Sequence, residues 1–180
     1  MSKVCVIGDA FIDIIIPKMD LIRGGVAINN DIKISTGGTA NVAIWLSRLG
    51  IKSYFIGMVG NDPFGEFFKR TLKEEGVEDL VVVNNNLETG ICISIVEENE
   101  RSFIVKRGAN DAWTEKLLEF ENIVSKSTIV YKTAYSLISE KNREILKSLL
   151  TSAKRGGSEI WLNLASYNIC LLYTSPSPRD

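Results

Sequence analysis

The stretch Gly37-Gly38-Thr39-Ala40-Asn41-Val42-Ala43, followed by Leu46 and Leu49-Gly50, decides the fold of this chain. After the paired glycines the apolar residues recur at helical spacing, and a glycine such as Gly50 commonly lies just past a helix end. Residues 54–59 then form an apolar run typical of a strand. Asp62-Pro63 predicts the start of a second helix, with Asp as N-cap and Pro in the first turn. Strands and helices therefore alternate from this stretch outward.

The rest of the chain continues the alternation. Apolar runs predict further strands at 3–7, 11–16, 80–83, 127–131 and 159–164, and helical spacing predicts helices at 114–124 and 139–155. This order predicts an α/β fold: a doubly wound, mainly parallel sheet with helices on both faces. Period-two patterns at 24–36 and 90–106 do not fit it and predict two hairpins. We therefore expect one domain of residues 1–169. Two segments inserted into it, about 24–36 and 88–108, would form a small projecting β-sheet.

Composition excludes several function classes. The chain has 180 residues, 45% hydrophobic and 24% charged, with a net charge of −1 and no histidine. The lack of a basic excess argues against a nucleic-acid partner, and the lack of histidine excludes triads and zinc sites built on that residue. No apolar run reaches the roughly 18 residues that span a bilayer, and the N-terminus lacks a signal-peptide pattern. We expect a cytoplasmic protein without a membrane partner.

The last eleven residues do not continue the α/β pattern. Residues 170–180 read Cys-Leu-Leu-Tyr-Thr-Ser-Pro-Ser-Pro-Arg-Asp, which resembles the conceptual translation of a sequencing adapter. We interpret them as a non-native tail and exclude them from the domain. An ordinary disordered C-terminus is the alternative. Cys170 carries no functional weight in either case, and with Cys5 and Cys92 it forms no CxxC pair.

Two features are candidate ligand contacts. The glycines of 35–41 permit close backbone approach, and the N–H groups of the first helical turn favour oxygen-rich ligands. Asn41 offers a donor and an acceptor to the same space. Spacing alone leaves both a ligand site and a plain helix cap open. Asp13 interrupts the β-branched run 11–16, where a carboxylate is costly unless it is hydrogen-bonded. We favour a ligand role for Asp13, at the carboxyl end of a sheet strand.

These motifs together are similar to those of one enzyme family. Gly8-Asp9 with Asp13, the 37–43 motif, Ile56 to Gly65, Thr89-Gly90 and Gly108-Ala109-Asn110 follow in the order found in the ribokinase-like carbohydrate and nucleoside kinases. The resemblance covers residues 3 to about 169. It implies a ribokinase-like α/β domain whose projecting sheet is a lid over the substrate.

The resemblance also implies an activity, transfer of the ATP γ-phosphoryl group to a hydroxyl of a sugar or nucleoside, with Mg²⁺. By position, Asp13, Gly37, Gly38 and Asn41 would bind substrate hydroxyls, and Cys92, Phe103 and Val105 of the lid would cover the apolar face of the sugar. Relatives often dimerise through the lid, so a homodimer is implied here. Phe11 stands where ribose-specific members have Asn, and Ala134-Tyr135 where they have an acidic contact. Both departures weaken ribose and leave a nucleoside or another sugar open.

The family's Gly-Ala-Gly-Asp motif, which supplies the general base and the anion hole, does not occur in these 180 residues. We therefore assign no catalytic residue and expect an N-terminal fragment that is inactive by itself. A degenerate kinase that binds sugar without catalysis is the alternative. A nicotinamide dehydrogenase is disfavoured, because Gly8 to Asp13 does not form a G-x-G-x-x-G turn after the first strand.

Overall fold

A computed structural model describes residues 2–98 and 100–164 of the chain. Its strands, in order, are β1 (Lys3–Ile7), β2 (Ala10–Pro17), β3 (Lys33–Gly38), β4 (Lys52–Gly60), β5 (Glu78–Asn84), β6 (Gly90–Glu97), β7 (Glu100–Lys106), β8 (Ile129–Thr133) and β9 (Glu159–Asn163). Its α-helices are α1 (Ala40–Arg48), α2 (Pro63–Glu74), α3 (Glu121–Ser125) and α4 (Glu140–Gly156). Short 3₁₀ helices lie at Gly108–Asp111, Glu115–Phe120 and Ala134–Leu137.

The central sheet has five strands in the order β5-β4-β1-β8-β9, and each neighbouring pair is parallel. One face packs against α1 and α2 through residues such as Phe55 and Phe68. The other face packs against α3 and α4 through residues such as Met58 and Leu146. The expected doubly wound sheet with helices on both faces is confirmed.

Local signals set the element boundaries well. The Asp62 carboxylate accepts a hydrogen bond from the Gly65 N–H at 2.8 Å, so Asp62 is the N-cap of α2 as its sequence indicated. Gly50 follows α1 with φ of 78°, a left-handed conformation that glycine adopts without strain. The helix expected at 114–124 is a 3₁₀ segment followed by the short α3.

A second, separate sheet has four strands in the order β3-β2-β6-β7, and we refer to it as the lid. The hairpin predicted at 90–106 is confirmed, since β6 and β7 pair antiparallel. The hairpin predicted at 24–36 is wrong. Residues 18–32 contain no strand, and β3 pairs instead with β2. The period-two pattern was a real strand signal, but it could not show that the partner strand lay 15 residues upstream.

Two further observations bear on the sequence predictions. Among the residues that the structure describes, no helix is long and apolar enough to cross a membrane. The interpretation of residues 170–180 as a non-native tail concerns a segment outside the described residues.

Candidate functional site

A cleft of about 540 Å³ lies where the lid meets the central sheet. The lid contributes Phe11, Asp13, Cys92, Phe103 and Val105 to its lining, and Gly38 and Thr39 contribute from the approach to α1. The remaining lining residues lie at or shortly after strand ends of the central domain or the lid: Asp9, Arg107, Thr133, Tyr135, Ile138 and Asn163. Clefts at the carboxyl ends of parallel strands are the usual ligand sites of α/β domains.

Asp13 lies in the middle of the lid strand β2, in register with Ser35 of β3 and Cys92 of β6. The sequence interpretation that put it at the end of a central-sheet strand is therefore wrong. Its carboxylate is half-buried, and burial raises its pKa above the usual range. A carboxylate lining an open cleft in this state is suited to accept hydrogen bonds from ligand hydroxyls.

Gly37 is the neighbour that makes room for this carboxylate. A Cβ added at Gly37 would lie only 2.0 Å from Asp13 Oδ1 and 2.3 Å from Oδ2. The Asp13 side chain therefore lies directly over the Gly37 backbone, across the β2–β3 pair. Any side chain at residue 37 would displace the carboxylate, which gives a physical reason for glycine here.

Gly38 and Thr39 connect β3 to α1. Gly38 has φ of 68°, and a Cβ at this residue would lie 2.5 Å from the Asp9 carbonyl oxygen. The Thr39 N–H donates to that carbonyl at 3.0 Å, and the Thr39 and Thr133 hydroxyl oxygens lie 3.2 Å apart. Gly38 is thus required both by its left-handed backbone and by its close approach to the end of β1.

Asn41 occupies the first turn of α1 and is exposed. It is not among the residues that line the cleft. Its assignment as a substrate contact stays a prediction, whereas Asp13 and Gly38 line the cleft and Gly37 supports Asp13.

The three lid residues Cys92, Phe103 and Val105 all line the cleft. Val105 pairs with Cys92 across the β6–β7 ladder, and Phe103 pairs with Ser94. Burial, and secondarily the Asp13 charge, raise the pKa of the Cys92 thiol. A thiol in that state is a small apolar wall residue and a poor nucleophile.

A buried ion pair at the base of the lid was missed by sequence reasoning. Arg107 follows β7 directly and donates from Nη1 and Nη2 to the two Asp9 carboxylate oxygens at 2.9 and 3.2 Å. Asp9, 1% exposed, directly precedes β2. Arg107 also donates from Nε to Asp111 at 2.5 Å. The pair joins the strand that enters the lid to the strand that leaves it.

Beside this pair, Asn110 clamps the same backbone. Its amide donates to the Ala10 carbonyl at 2.8 Å and accepts from the Ala10 N–H at 2.7 Å. Asn142 of α4 in turn donates to the Asn110 carbonyl at 2.6 Å and accepts from the Trp113 N–H at 3.1 Å. The motif 108–110 was noted in the sequence, but its partner lies 100 residues away and no local pattern identifies it.

The family description "pfkB family carbohydrate kinase" matches residues 1–171. This chain belongs to the pfkB family of carbohydrate kinases. The family membership predicted from the sequence motifs is confirmed.

Individual relatives are sugar kinases. The chain is 30% identical to a fructokinase of Vibrio alginolyticus over 164 residues, and this match covers 89% of the chain and 50% of the fructokinase. An uncharacterized sugar kinase of Pyrococcus horikoshii superposes with a TM-score of 0.78 at 28% identity, over 93% of this chain and 54% of the other. A ribokinase of Arabidopsis thaliana complexed with ribose and ATP superposes with a TM-score of 0.76 at 25% identity, over 93% and 55%. The chain spans about half the length of these relatives.

Within residues 2–98 and 100–164, no three acidic, cysteine or histidine side chains are grouped to hold an ion. We assign neither metal ligands nor ATP contacts to the described residues.

Proposed function

We propose that this chain is the substrate-binding, N-terminal part of an ATP-dependent kinase that phosphorylates a hydroxyl of a sugar or nucleoside. The cleft under the lid, in which Asp13 lies over Gly37, is the observation that carries the proposal. The membership of the pfkB family and the ribose and ATP bound by the A. thaliana relative support it.

In this proposal the chain's own residues position the acceptor hydroxyl. The Asp13 carboxylate accepts hydrogen bonds from hydroxyls, while Gly38 allows the ligand to approach the backbone before α1. The lid side chains Cys92, Phe103 and Val105 exclude water from one side of the substrate. Orientation and exclusion of water account for much of the catalysis of phosphoryl transfer, because the protein forms no covalent intermediate in a direct transfer.

We assign the phosphoryl-transfer step itself to residues outside this 180-residue chain. ATP and Mg²⁺ are the expected co-substrate and ion, and their contacts are proposed to lie outside the 180 residues. We propose that the chain alone has no kinase turnover, that the enzyme is cytoplasmic, and that two copies associate through the lid. Exposed apolar residues on β3 and β7, such as Ile34 at 55% and Ile104 at 60%, support the last point.

The proposal is tested in two steps. Calorimetric titration of the chain with ribose, fructose, 2-keto-3-deoxygluconate and adenosine should show binding of at least one. Asp13→Asn should weaken that binding about tenfold or more, since a charged acceptor is lost. Asp20→Asn, in the exposed segment between β2 and β3, is the matched control and should change nothing.

The second step measures ATP consumption with the same four compounds, using the product of the reading frame extended beyond residue 169. Turnover that Asp13→Asn reduces would support the kinase. Absence of both binding and turnover with all four compounds would contradict the proposal. Turnover by the 180-residue chain alone would overturn the assignment of the transfer residues to another part of the protein.

A further inference from the structure

The apolar share of the cleft lining is larger than a bare sugar requires. Phe11, Cys92, Phe103, Val105 and Ile138 line the cleft without offering a strong hydrogen-bonding group. A sugar carries a hydroxyl on almost every carbon, and each hydroxyl that is buried without a partner costs binding energy. A polyol that filled the whole cleft would leave hydroxyls against this apolar wall.

Phe11 is held rigidly at the root of the lid. A Cβ added at Gly90 would lie 2.7 Å from the Phe11 ring, and one added at Gly38 would lie 3.1 Å from it. The Phe11 ring therefore lies between Gly38 of β3 and Gly90 of β6, and a side chain at either glycine would crowd the ring. Because Phe11 is only 7% exposed, it forms a fixed apolar floor and cannot turn aside for a polar group.

The lid supplies the opposite apolar surface. Phe103 and Val105 face the cleft from β7 and are 60% and 49% exposed, so about half of their surface is left open by the described chain. Tyr135 and Ile138 line the cleft from the central domain, after β8. These four side chains bound a region suited to a flat apolar or aromatic group.

The polar groups complement this region. Asp13, Thr39, Thr133 and Asn163 also line the cleft; the Thr39 and Thr133 hydroxyls lie 3.2 Å apart, and Arg107 and Asp9 form an ion pair. One cleft thus presents hydroxyl-binding groups together with an apolar region. At about 540 Å³ it has room for a ligand with two parts.

We propose that the substrate is a nucleoside, a furanose that carries a planar aromatic base, with the base against Phe103, Val105, Tyr135 and Ile138 and the furanose hydroxyls on Asp13. This inference rests on the proposed function, because it names the substrate class of the same cleft. Stacking of a base on an aromatic side chain contributes roughly 1–3 kcal/mol by alanine substitution.

The test is calorimetric titration of the 180-residue chain with adenosine, ribose and fructose. Adenosine is expected to bind at least tenfold more tightly than either sugar. Phe103→Ala should weaken adenosine binding about tenfold, in line with the loss of one stacking contact, and should leave ribose binding within about twofold. Ile104→Ala is the matched control, because Ile104 is the next residue on β7, equally exposed and not part of the cleft lining.

The outcomes separate this inference from the proposed function. If ribose or fructose binds as tightly as adenosine, or if Phe103→Ala weakens all three equally, the nucleoside assignment is wrong and the sugar-kinase assignment stands. If none of the three binds while circular dichroism shows a folded chain, the nucleoside assignment is wrong and the cleft itself loses support as a substrate site. Tight adenosine binding that is insensitive to Phe103→Ala would place the base elsewhere and also overturn the inference.

Discussion

Replacing Lys132 by methionine should stabilise the protein at neutral pH and should do so less as the pH rises. Lys132 is only 2% exposed, on β8, and lies close enough to the Asp9 carboxylate to be attracted by it. Burial lowers its pKa from 10.5 to about 8, and the attraction of Asp9 opposes this only in part. The folded protein therefore binds this proton less tightly than the unfolded chain does.

The sign and size follow from linkage. Between pH 8 and 10.5 the unfolded chain holds the proton and the folded chain has released it, so stability rises with pH in that window. Below pH 8 the folded state retains a costly buried charge. A shift of this size corresponds to about 3 kcal/mol at pH 7 and about 1.4 kcal/mol at pH 9.5. Lys132→Met removes that cost, and its advantage over the parent should fall by about 2 kcal/mol between these pH values.

The assay is urea unfolding at pH 7.0 and 9.5, followed by the fluorescence of tryptophan. Trp113 is fully buried and reports the packing of the α4 face of the sheet. Lys126→Met, at an exposed lysine just before β8, is the matched control for replacing a lysine by methionine. An advantage of Lys132→Met that does not change between pH 7.0 and 9.5 would refute the reasoning, because a lysine with an unshifted pKa gives that result.

Three further predictions concern the cleft, the α2 cap and the sheet edge. Gly37→Ala places a methyl group against the Asp13 carboxylate and should lower the free energy of unfolding in urea by about 1–3 kcal/mol. The double variant Gly37→Ala/Asp13→Ala should recover most of that loss. Equal losses of stability in the single and double variants would contradict the contact. Asp62→Ala removes the α2 cap and its bonds to Thr89, and should cost about 0.5–2 kcal/mol at pH 7. Burial acts to raise the Asp62 pKa, but hydrogen bonds from Thr89 and Gly65 outweigh it and lower the pKa. The cost of Asp62→Ala should therefore shrink as the pH falls through that lowered pKa. Leu162→Lys on the exposed edge strand β9 should reduce light scattering on concentration, since a charge discourages edge-to-edge pairing, and unchanged scattering would show that another surface aggregates.

The central domain could be predicted from the sequence because its signals are local. The Asp62 cap, Gly50 after α1 and the apolar run of β4 each fix an element with residues less than ten positions apart, and parallel pairing follows from the alternation of strands and helices. The lid could not be predicted in the same way. A period-two pattern at 33–36 shows a strand, but not that the partner is β2.

The candidate site follows the same division. Gly37, Gly38 and Asp13 belong to short motifs and were found, although Asp13 was placed in the wrong sheet. Arg107 and Asp9 are 98 residues apart, and a single arginine before a glycine carries no sign of a carboxylate partner. Only the pairing of β2 with β6 and of β6 with β7 brings them together.

The base of the lid concentrates its contacts on two adjacent residues. The Asp9 carboxylate binds Arg107, and the Asp9 carbonyl accepts from Thr39. Ala10 is clamped on both backbone groups by Asn110. Three of the chain's passages between lid and central domain therefore meet at 9–10, and β2 leaves this point with Asp13 on its inner face. Because removal of one partner of a buried ion pair leaves an uncompensated charge, the Arg107–Asp9 pair makes this junction intolerant of single changes. The position of Asp13 in the cleft is thus set by contacts three and four residues before it, made to segments about 30 and 100 positions along the chain.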